Sequence, residues 1–424
     1  MTSRALETGG IVVFAVVCAI APFPADTIER LYSSDWYLRI QGVLTTMSNT
    51  IPIAWLDIGV ACLLIAAIEL VISRTRQLGP KRAFTRNLMT AAGAAAWLYL
   101  LFLALWGLNY RRVPLEQKLD YEQSRLTRDA AIAFTNAAVA QVNAGYTAAH
   151  ATAFTRDALE APFADAQIAL GAARLAVPGV PKRSLLNYYF RRAAIDGMTD
   201  PYFLEIIINP DVLEFERPFV IAHEWAHLAG YANEAEANFL AWLTCVRGNP
   251  ALQYSGWLSA YQHGLAAVPN ADRSTIQSLD DGPRKDLQAM VARYERSSPL
   301  VRRTSRGVYD EYLKANRISE GIASYDAVIS SYAIDHMGRE GTPKAIQEVA
   351  RVLKPNGEFL LQIVNPDIWV KVMMPIPHFG LNAHVKPDPV RWRAMLKAAG
   401  FEVIEEGTVP ATLYWLARKQ PSRD

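Results

Sequence analysis

Two histidines and a glutamate in the segment His223-Glu224-Trp225-Ala226-His227 have the residue types and the spacing of a zinc site. Side chains four residues apart project from the same face of a helix, so both imidazoles can bind one Zn²⁺. Glu224, next to the first histidine, can act as a general base toward water activated by the metal. The segment therefore predicts a zinc-dependent hydrolase with His223 and His227 as metal ligands and Glu224 as the catalytic residue.

A third ligand is needed, because catalytic zinc sites normally have three protein ligands and one open position. Glu234 and Glu236 are the candidates, at the start of a predicted second helix. Asn233 and Glu236 have the spacing of a capping box, which would give Glu236 a structural role. Asn238, four residues after Glu234, could orient a metal ligand by a hydrogen bond. We therefore favour Glu234, with Glu236 as the alternative.

No side chain near the motif is assigned as the donor that stabilises the transition state. Structural roles are expected for the four nearby candidates, Tyr231, Tyr254, Tyr261 and His263. The stabilising role therefore stays open at this point.

The composition excludes several other classes of protein. The chain has 424 residues, a formal net charge of +2 and three cysteines. Its length suits two or three domains, and without a basic excess nucleic acid is not expected as a partner. The cysteines form neither a disulfide framework nor a CxxC zinc site. The hydrophobic share of 51% indicates membrane spans.

Three apolar runs, at residues 11–25, 51–72 and 88–108, are predicted to be transmembrane helices. Between the second and the third lies a short loop with five basic residues and no acid, which is predicted to be cytoplasmic: Arg74, Arg76, Lys81, Arg82 and Arg86. Residues 1–112 are therefore expected to form a membrane anchor with the lipid bilayer as partner, and the chain after residue 108 to lie outside the cytoplasm.

The zinc motif is expected in a mainly helical domain with some strand, residues 113–325. Amphipathic helices are predicted at residues 127–149 and 154–176, and the second motif helix at 234–246. The β-branched run at residues 203–208 predicts a strand, which either lies along the active-site cleft or is an ordinary buried strand.

Residues 326–424 alternate between strand and helix. A strand is predicted at 326–332, a helix at 343–353, a turn at 354–357 and a strand at 358–364. In doubly wound folds the cofactor lies on a glycine-rich turn after the first strand, and no such turn precedes Asp326. We therefore expect a half-domain without activity of its own, joined near Tyr325 by a gene fusion or in sequence assembly.

The motif and the following Asn-Glu-Ala-Glu-Ala-Asn-Phe resemble the gluzincin-type metallopeptidases, although only six residues separate His227 from Glu234. This resemblance implies a zincin-like fold, a zinc cofactor, a peptide or protein substrate and Glu234 as the third ligand. Residues 11–325 also resemble an uncharacterised bacterial family of three-span membrane proteins, through three further segments: Ile28–Tyr32, Gly107–Arg111 and Val308–Asn316. That resemblance implies a protein of the bacterial inner membrane with an extracytoplasmic zinc domain.

Residues 326–419 resemble the second half of class I S-adenosylmethionine-dependent methyltransferases, a Rossmann-like fold, through the segments at 325–330, 348–357 and 399–403. Asp335 and His336 would lie near the catalytic rim of such a fold, and structural roles are expected for both. The sequence thus favours a membrane-anchored zinc metallopeptidase. The alternatives are a methyltransferase and a zinc-binding membrane protein that is catalytically idle.

Overall fold

A computed structural model describes residues 3–119, 121–268, 270–316, 325–331, 338–364, 388–409 and 412–420. The chain divides into two compact units, Met1–Ser305 and Arg306–Asp424. Helices dominate the described residues, as the sequence predicts. Each unit is described by itself below.

The first unit begins with a helix and a sharp bend. Helix α1 (Ser3–Ile20) ends before Pro22 and Pro24, residues that interrupt helical hydrogen bonding. A continuous helix, Ala25–Ser48, follows at 104° to α1. It consists of α2 (Ala25–Thr27), a π-helical stretch (Ile28–Trp36) and α3 (Tyr37–Ser48).

Helices α4 (Trp55–Leu78) and α5 (Pro80–Leu105) are long and apolar enough to cross a membrane. A third crossing is added if the bent pair of α1 and Ala25–Ser48 counts as one span. The structure thus has two or three candidate spans among its described residues, where the sequence predicts three transmembrane helices. The basic segment predicted as a loop is helical except for Gly79. This one residue, with φ of +74°, connects α4 to α5, and arginine and lysine on both sides are good helix formers.

A small sheet and three helices follow the candidate spans. Helix α6 (Arg128–His150) matches its prediction, with Thr127 accepting a hydrogen bond at its start, whereas α7 (Glu160–Ala169) is shorter than predicted and is followed by α8 (Leu186–Ala193). The sheet has the order β1 (Pro181–Lys182), β3 (Glu205–Ile208), β2 (Gly197–Asp200).

Strand β3 corrects one interpretation of the sequence. It is fully buried and paired on both sides, parallel to β1 and antiparallel to β2. A strand with two partners has no free edge, so the segment at 203–208 is the ordinary buried strand and cannot pair with a substrate. The edge of the sheet near the motif belongs to β2.

Five helices complete the first unit and lead into the second: α9 (Arg217–Leu228), α10 (Glu234–Cys245), α11 (Pro250–Ala267), α12 (Asp281–Glu295) and α13 (Pro299–Ala315). Asn233 and Asn249 start α10 and α11 by accepting hydrogen bonds from main-chain amides. Helices α6 and α11 pack together through a buried cluster that includes Val139, Val142 and Leu258. Helix α13 contains the boundary between the two units.

The second unit has a four-stranded sheet in the order β4 (Tyr325–Ser331), β5 (Leu353–Val364), β7 (Thr412–Lys419), β6 (Phe401–Val409). Strand β4 is parallel to β5, and the other pairs are antiparallel. Helices α14 (Gly338–Val352) and α15 (Pro389–Ala398) contribute to a core around Trp392 and Trp415.

The α/β alternation predicted for this unit is thus confirmed for the described residues. Pairing jumps from Leu353 to Glu358 while β4 advances by two residues, so the predicted turn at 354–357 corresponds to a break in register rather than to a gap between elements. Asp335 and His336 lie outside the described residues.

Candidate metal centre

Helix α9 carries the zinc motif in a buried position. Pro218 lies in its first turn, where an amide N–H would have no helical partner. Gly230, with φ of +83°, follows the end of the helix in a conformation that glycine adopts without strain. Trp225 is fully buried, and its indole N–H donates to a main-chain carbonyl at 2.8 Å. Packing therefore fixes the direction in which His223 and His227 project.

Three potential ligand atoms converge beside α9. His223 Nε2 lies 3.1 Å from His227 Nε2 and 3.2 Å from Glu234 Oε2. His227 Nε2 lies 3.7 Å from Glu234 Oε1. A tetrahedral zinc ion with ligands at about 2.0–2.2 Å requires neighbouring ligand atoms to be about 3.3–3.6 Å apart. The separation of the two histidine nitrogens, and the distance of each nitrogen to one Glu234 oxygen, are within a few tenths of an ångström of that requirement; the oxygen is Oε2 for His223 and Oε1 for His227.

The ring of His227 is oriented by the turn that follows its own helix. Its Nδ1 lies 2.7 Å from the main-chain carbonyl of Tyr231 and donates to it, which leaves Nε2 free to bind a metal. His223 Nδ1 is buried and has no hydrogen-bond partner among the described residues. The two Nε2 atoms therefore face each other, and one of the two rings has its tautomer set by a hydrogen bond.

The pKa values of the two imidazoles are shifted in opposite directions. Burial lowers the pKa of His227 to about 4, which favours the neutral ring that binds metals. Burial also opposes charge on His223, but the carboxylate of Glu234 outweighs it and raises the pKa of this ring to about 9. The cluster of two imidazoles and one carboxylate therefore favours a positive charge at its centre.

Glu224 points to the same side of α9 and is held by strand β2. Its Oε2 accepts a hydrogen bond of 2.8 Å from the hydroxyl of Thr199. Gly197 lies so close that a Cβ atom added there would be 2.6 Å from Glu224 Oε1. Burial raises the pKa of Glu224 to about 7. A buried carboxylate with such a pKa can exchange protons at neutral pH.

A cavity of about 300 Å³ opens onto the cluster. His223, Glu224 and Gly197 form part of its wall, and the rest is a mixture of apolar and small polar side chains that includes Phe215, Phe219, Val220, Leu258, Met290, Ser255 and Ser259. Asn238 and His263 also line it and lie side by side, with Asn238 Nδ2 at 3.4 Å from His263 Nε2. A space of this size holds a few amino-acid side chains.

Arg293 forms ion pairs with two acidic residues of the cavity wall. Arg293, from α12, donates to Asp196 Oδ1 at 2.6 Å and to Glu216 Oε1 at 2.8 Å. Asp196 and Glu216 both line the cavity; along the chain, Asp196 precedes the buried β3 and Glu216 follows it. The ion pairs therefore tie α12 to the segments that precede β2 and α9.

The carboxyl end of α9 is capped by side chains from residues 37–112, the part of the chain that contains the candidate spans α4 and α5. Such an end leaves main-chain carbonyls without helical partners. Tyr37 donates to the carbonyl of Leu228 at 3.0 Å, and Trp106 donates to that of His227 at 3.4 Å. Arg112 donates to the carbonyl of Gly230 at 2.9 Å. The candidate ligand His227 is thus held from the side of the candidate spans.

The structure brings Glu234, and not Glu236, to the two histidines. The carboxylate of Glu236 instead accepts a hydrogen bond from the amide of Leu115. Asn233 caps α10 by accepting from the amide of Ala235 at 2.8 Å. The capping box predicted between Asn233 and Glu236 is not formed, because the Glu236 carboxylate is turned toward Leu115.

Of the four candidate transition-state donors, His263 is the one that lines the cavity. Tyr254 donates to Asp286 at 2.6 Å in the core. The ring of Tyr231 stacks against Arg112 at 4.6 Å. Tyr261 is also absent from the cavity wall.

Sequence reasoning missed the residues that hold Glu224 and the end of α9. Thr199 and Gly197 lie on a strand that the sequence did not predict, 25 and 27 residues before Glu224 along the chain. Tyr37 and Trp106 are farther away still along the chain. No local pattern in the sequence could have identified these contacts.

Comparisons with known proteins identify a family and a second, shorter likeness. The family model described as Protein of unknown function (DUF3810) matches residues 32–331. A model described as Methyltransferase domain matches residues 311–361, so the two matches overlap. The curated proteins contain no match to the chain.

Among solved structures, an O-methyltransferase family protein from Burkholderia thailandensis is similar over 40% of this chain, at 13% sequence identity and a TM-score of 0.22. The chain spans 62% of the length of that protein. The match of the Methyltransferase domain model makes residues 311–361 methyltransferase-like in sequence. Since the first family model covers well over half of the chain, the protein belongs to the DUF3810 family.

Proposed function

We propose that the protein is a membrane-anchored, zinc-dependent metallopeptidase that uses His223, His227 and Glu234 as metal ligands and Glu224 as general base. The observation that carries this proposal is the convergence of one ligand atom from each of the three residues within 4.8 Å of one another, beside a cavity that is lined by His223 and Glu224.

The donor set favours zinc over the commoner hard cations. Two imidazole nitrogens and one carboxylate are ligands that zinc accepts in a tetrahedral catalytic site. Magnesium and calcium prefer oxygen ligands and higher coordination numbers. The hydrogen bond from His227 Nδ1 to a main-chain carbonyl is the kind of outer contact that supports a zinc-binding histidine.

The proposed chemistry divides between the metal and Glu224. A bound zinc ion supplies Lewis acidity, which activates water and polarises the scissile carbonyl. Glu224 takes the proton from the attacking water and passes it to the nitrogen of the leaving amine. Its hydrogen bond from Thr199 orients the carboxylate while leaving the other oxygen, Oε1, beside Gly197.

Strand β2 supports a peptide as the substrate. It is the last strand of its sheet, and the described residues provide no strand on its other side. Gly197 in this strand lies against Glu224. An extended peptide could add to such an edge through main-chain hydrogen bonds and present one peptide bond to the general base.

The proposed location is the bacterial inner membrane, with the zinc centre outside the cytoplasm. The basic ends of α4 and α5 meet at Gly79, and basic segments stay on the cytoplasmic side. The metal centre contacts Trp106, at the opposite end of α5. Substrates would then be peptides or proteins of the cell envelope.

Metal analysis of the purified protein tests the ligand assignment. We expect one zinc ion per chain in the wild type and none in His223→Ala. His263→Ala is the matched control, because this histidine lines the same cavity outside the ligand cluster, and it should retain zinc. Absence of zinc from the wild type, or its retention in His223→Ala, would overturn the assignment.

Glu224→Gln separates a peptidase from a zinc protein that is catalytically idle. We expect it to retain zinc and to lose about 10²–10⁴-fold in the rate of cleavage of a peptide library, the usual contribution of general base catalysis. A wild-type protein that binds zinc and cleaves nothing, or a variant that cleaves as fast as the wild type, would contradict the proposed reaction.

A methyltransferase is the second candidate, favoured by the match at residues 311–361. Four strands of a sheet are described, and the sequence before Asp326 has no glycine-rich turn to hold the cofactor. Isothermal titration of the full chain with S-adenosylmethionine distinguishes the two proposals. Binding would support this candidate, and we expect none.

A further inference from the structure

One side of the helix Ala25–Ser48 has exposed apolar side chains. Leu31, Trp36, Val43 and Met47 are 54–63% exposed. Ser33, Gln41, Thr45 and Ser48 are at most 2% exposed, and Ile28, Tyr37 and Leu38 are buried with them. Four large exposed apolar side chains on a helix that also buries polar ones are unusual at a water-facing surface.

The exposed apolar residues form one continuous stripe. In a π-helix residues five apart align, which places Leu31 in line with Trp36. In the following α-helix Val43 and Met47 lie seven and eleven residues after Trp36, which is close to two and three full turns. The stripe therefore runs along most of the helix on one side.

The opposite side is fixed to the first unit by specific polar contacts. Gln41 donates to the carbonyl of Val177 at 2.8 Å, and Thr45 donates to that of Leu204 at 2.6 Å. Ser48 donates to the buried carboxylate of Glu205 at 3.0 Å. These contacts determine the rotation of the helix, so the apolar stripe faces away from the sheet and the metal centre.

The direction of the helix relates it to the membrane. It is bent by 104° from α1, which packs against the candidate span α5. If α1 runs across the bilayer, a helix at this angle runs nearly parallel to its surface. Glu205 also accepts from the amides of Trp55 and Leu56 at the start of α4, so the helix lies at the level where α4 begins.

We propose that Ala25–Ser48 is an interfacial helix whose apolar stripe, Leu31, Trp36, Val43 and Met47, is inserted among the lipids at the bilayer surface next to the metal centre. Helices of this kind lie in the plane of the interface with their apolar face at the boundary between headgroups and acyl chains. Arg30 and Arg39 are exposed on the same helix, where long basic side chains can reach the phosphates. The lipid bilayer is therefore the partner of this surface.

Spin labelling of the full chain in vesicles of phosphatidylethanolamine and phosphatidylglycerol tests the proposal. Single cysteines at Val43 and Met47, in a background without Cys18, Cys62 and Cys245, carry the label. Val291→Cys is the matched control, since this valine is 55% exposed, compared with 60% for Val43, but lies on α12. Collision with oxygen reports lipid, and collision with a water-soluble nickel chelate reports solvent.

We expect the ratio of oxygen to nickel accessibility to be several-fold higher at residues 43 and 47 than at 291. Equal ratios would mean that the stripe faces water, and shielding from both reagents would mean that protein covers it. Either result overturns the proposal. The measurement does not depend on zinc or on hydrolysis, so its outcome is independent of the proposed reaction.

Discussion

The hydroxyl of Tyr37 donates a hydrogen bond of 3.0 Å to the main-chain carbonyl of Leu228, the last residue of the helix that carries the zinc motif. Tyr37 is fully buried and lies on the helix Ala25–Ser48, 191 residues away along the chain. The helix Ala25–Ser48 is therefore part of the scaffold of the metal centre. A ligand on α9 is held by contacts that a domain starting at residue 113 would lack.

Tyr37→Phe removes this hydrogen bond and little else. A buried hydrogen bond contributes about 1 kcal/mol, so we expect zinc affinity to fall by up to about fivefold. Competition with a chelator of known affinity measures the change. Tyr32→Phe is the control, because the ring of Tyr32 lies 5.8 Å from that of Tyr37 but its hydroxyl donates to the carbonyl of Ala104 at 3.1 Å instead of to α9. An equal loss in both variants would show a general effect on stability and not one on the site.

Gly197→Ala tests how strand β2 positions the general base. The added Cβ would lie 2.6 Å from Glu224 Oε1, a contact that forces the carboxylate to move. We expect peptide cleavage to fall by at least about 10²-fold while zinc is retained. Steady-state kinetics and metal analysis together separate the two effects.

Gly145→Ala provides the control for Gly197→Ala. This glycine lies within α6 with open space around it, so alanine should leave cleavage unchanged and stabilise the helix by about 1 kcal/mol. Full activity in Gly197→Ala would mean that Glu224 does not need its observed position.

Local spacing accounts for the part of the site that could be predicted. His223 and His227 share a helix, so their separation along the chain fixes their relation in space. Glu234 begins the next helix, and its carboxylate lies beside the two histidines. The choice of Glu234 over Glu236 as the third ligand stays a prediction, and the partner of Glu236 is Leu115 and not Asn233.

The rest depends on long-range packing that leaves no local pattern. The buried carboxylate of Glu205 holds the start of α4, 149 residues earlier, and Lys182 donates to main-chain carbonyls of Ser48 and Ile51. Hydropathy predicts the apolar segments among residues 1–112. It does not predict that these residues fold into the same compact unit as the zinc motif.

Glu234→Gln and Glu236→Gln separate the two candidate ligands. An uncharged amide is a poor zinc ligand, so Glu234→Gln should lower zinc affinity by more than the about 10–100-fold that is typical when an outer contact to a ligand is lost. Glu236→Gln keeps an oxygen that can accept from the Leu115 amide and should retain zinc with nearly unchanged affinity. Chelator competition decides between them, and the reverse order of affinities would reassign the third ligand.

Asp200→Asn predicts a pH dependence of stability. Asp200 is fully buried at the end of β2 and accepts hydrogen bonds from the amides of Tyr202 and Phe203. Burial raises the pKa of this carboxyl from 3.8 to about 7. Between about pH 4 and pH 7 the carboxyl of Asp200 is therefore protonated in the folded protein and ionised in the unfolded chain. The wild type loses stability as the pH rises from about 4 to about 7.

The asparagine variant has no such proton and can still accept hydrogen bonds through its amide oxygen. We expect it to be more stable than the wild type by about 2–4 kcal/mol above pH 7 and to lose that advantage near pH 4. Denaturant unfolding across this range measures the difference. Asp281→Asn, which makes the same substitution at a carboxylate that is 87% exposed, is the control variant. If the advantage of Asp200→Asn grew as the pH fell, Asp200 would be stabilised as a carboxylate, and the proposed effect of its burial would be wrong.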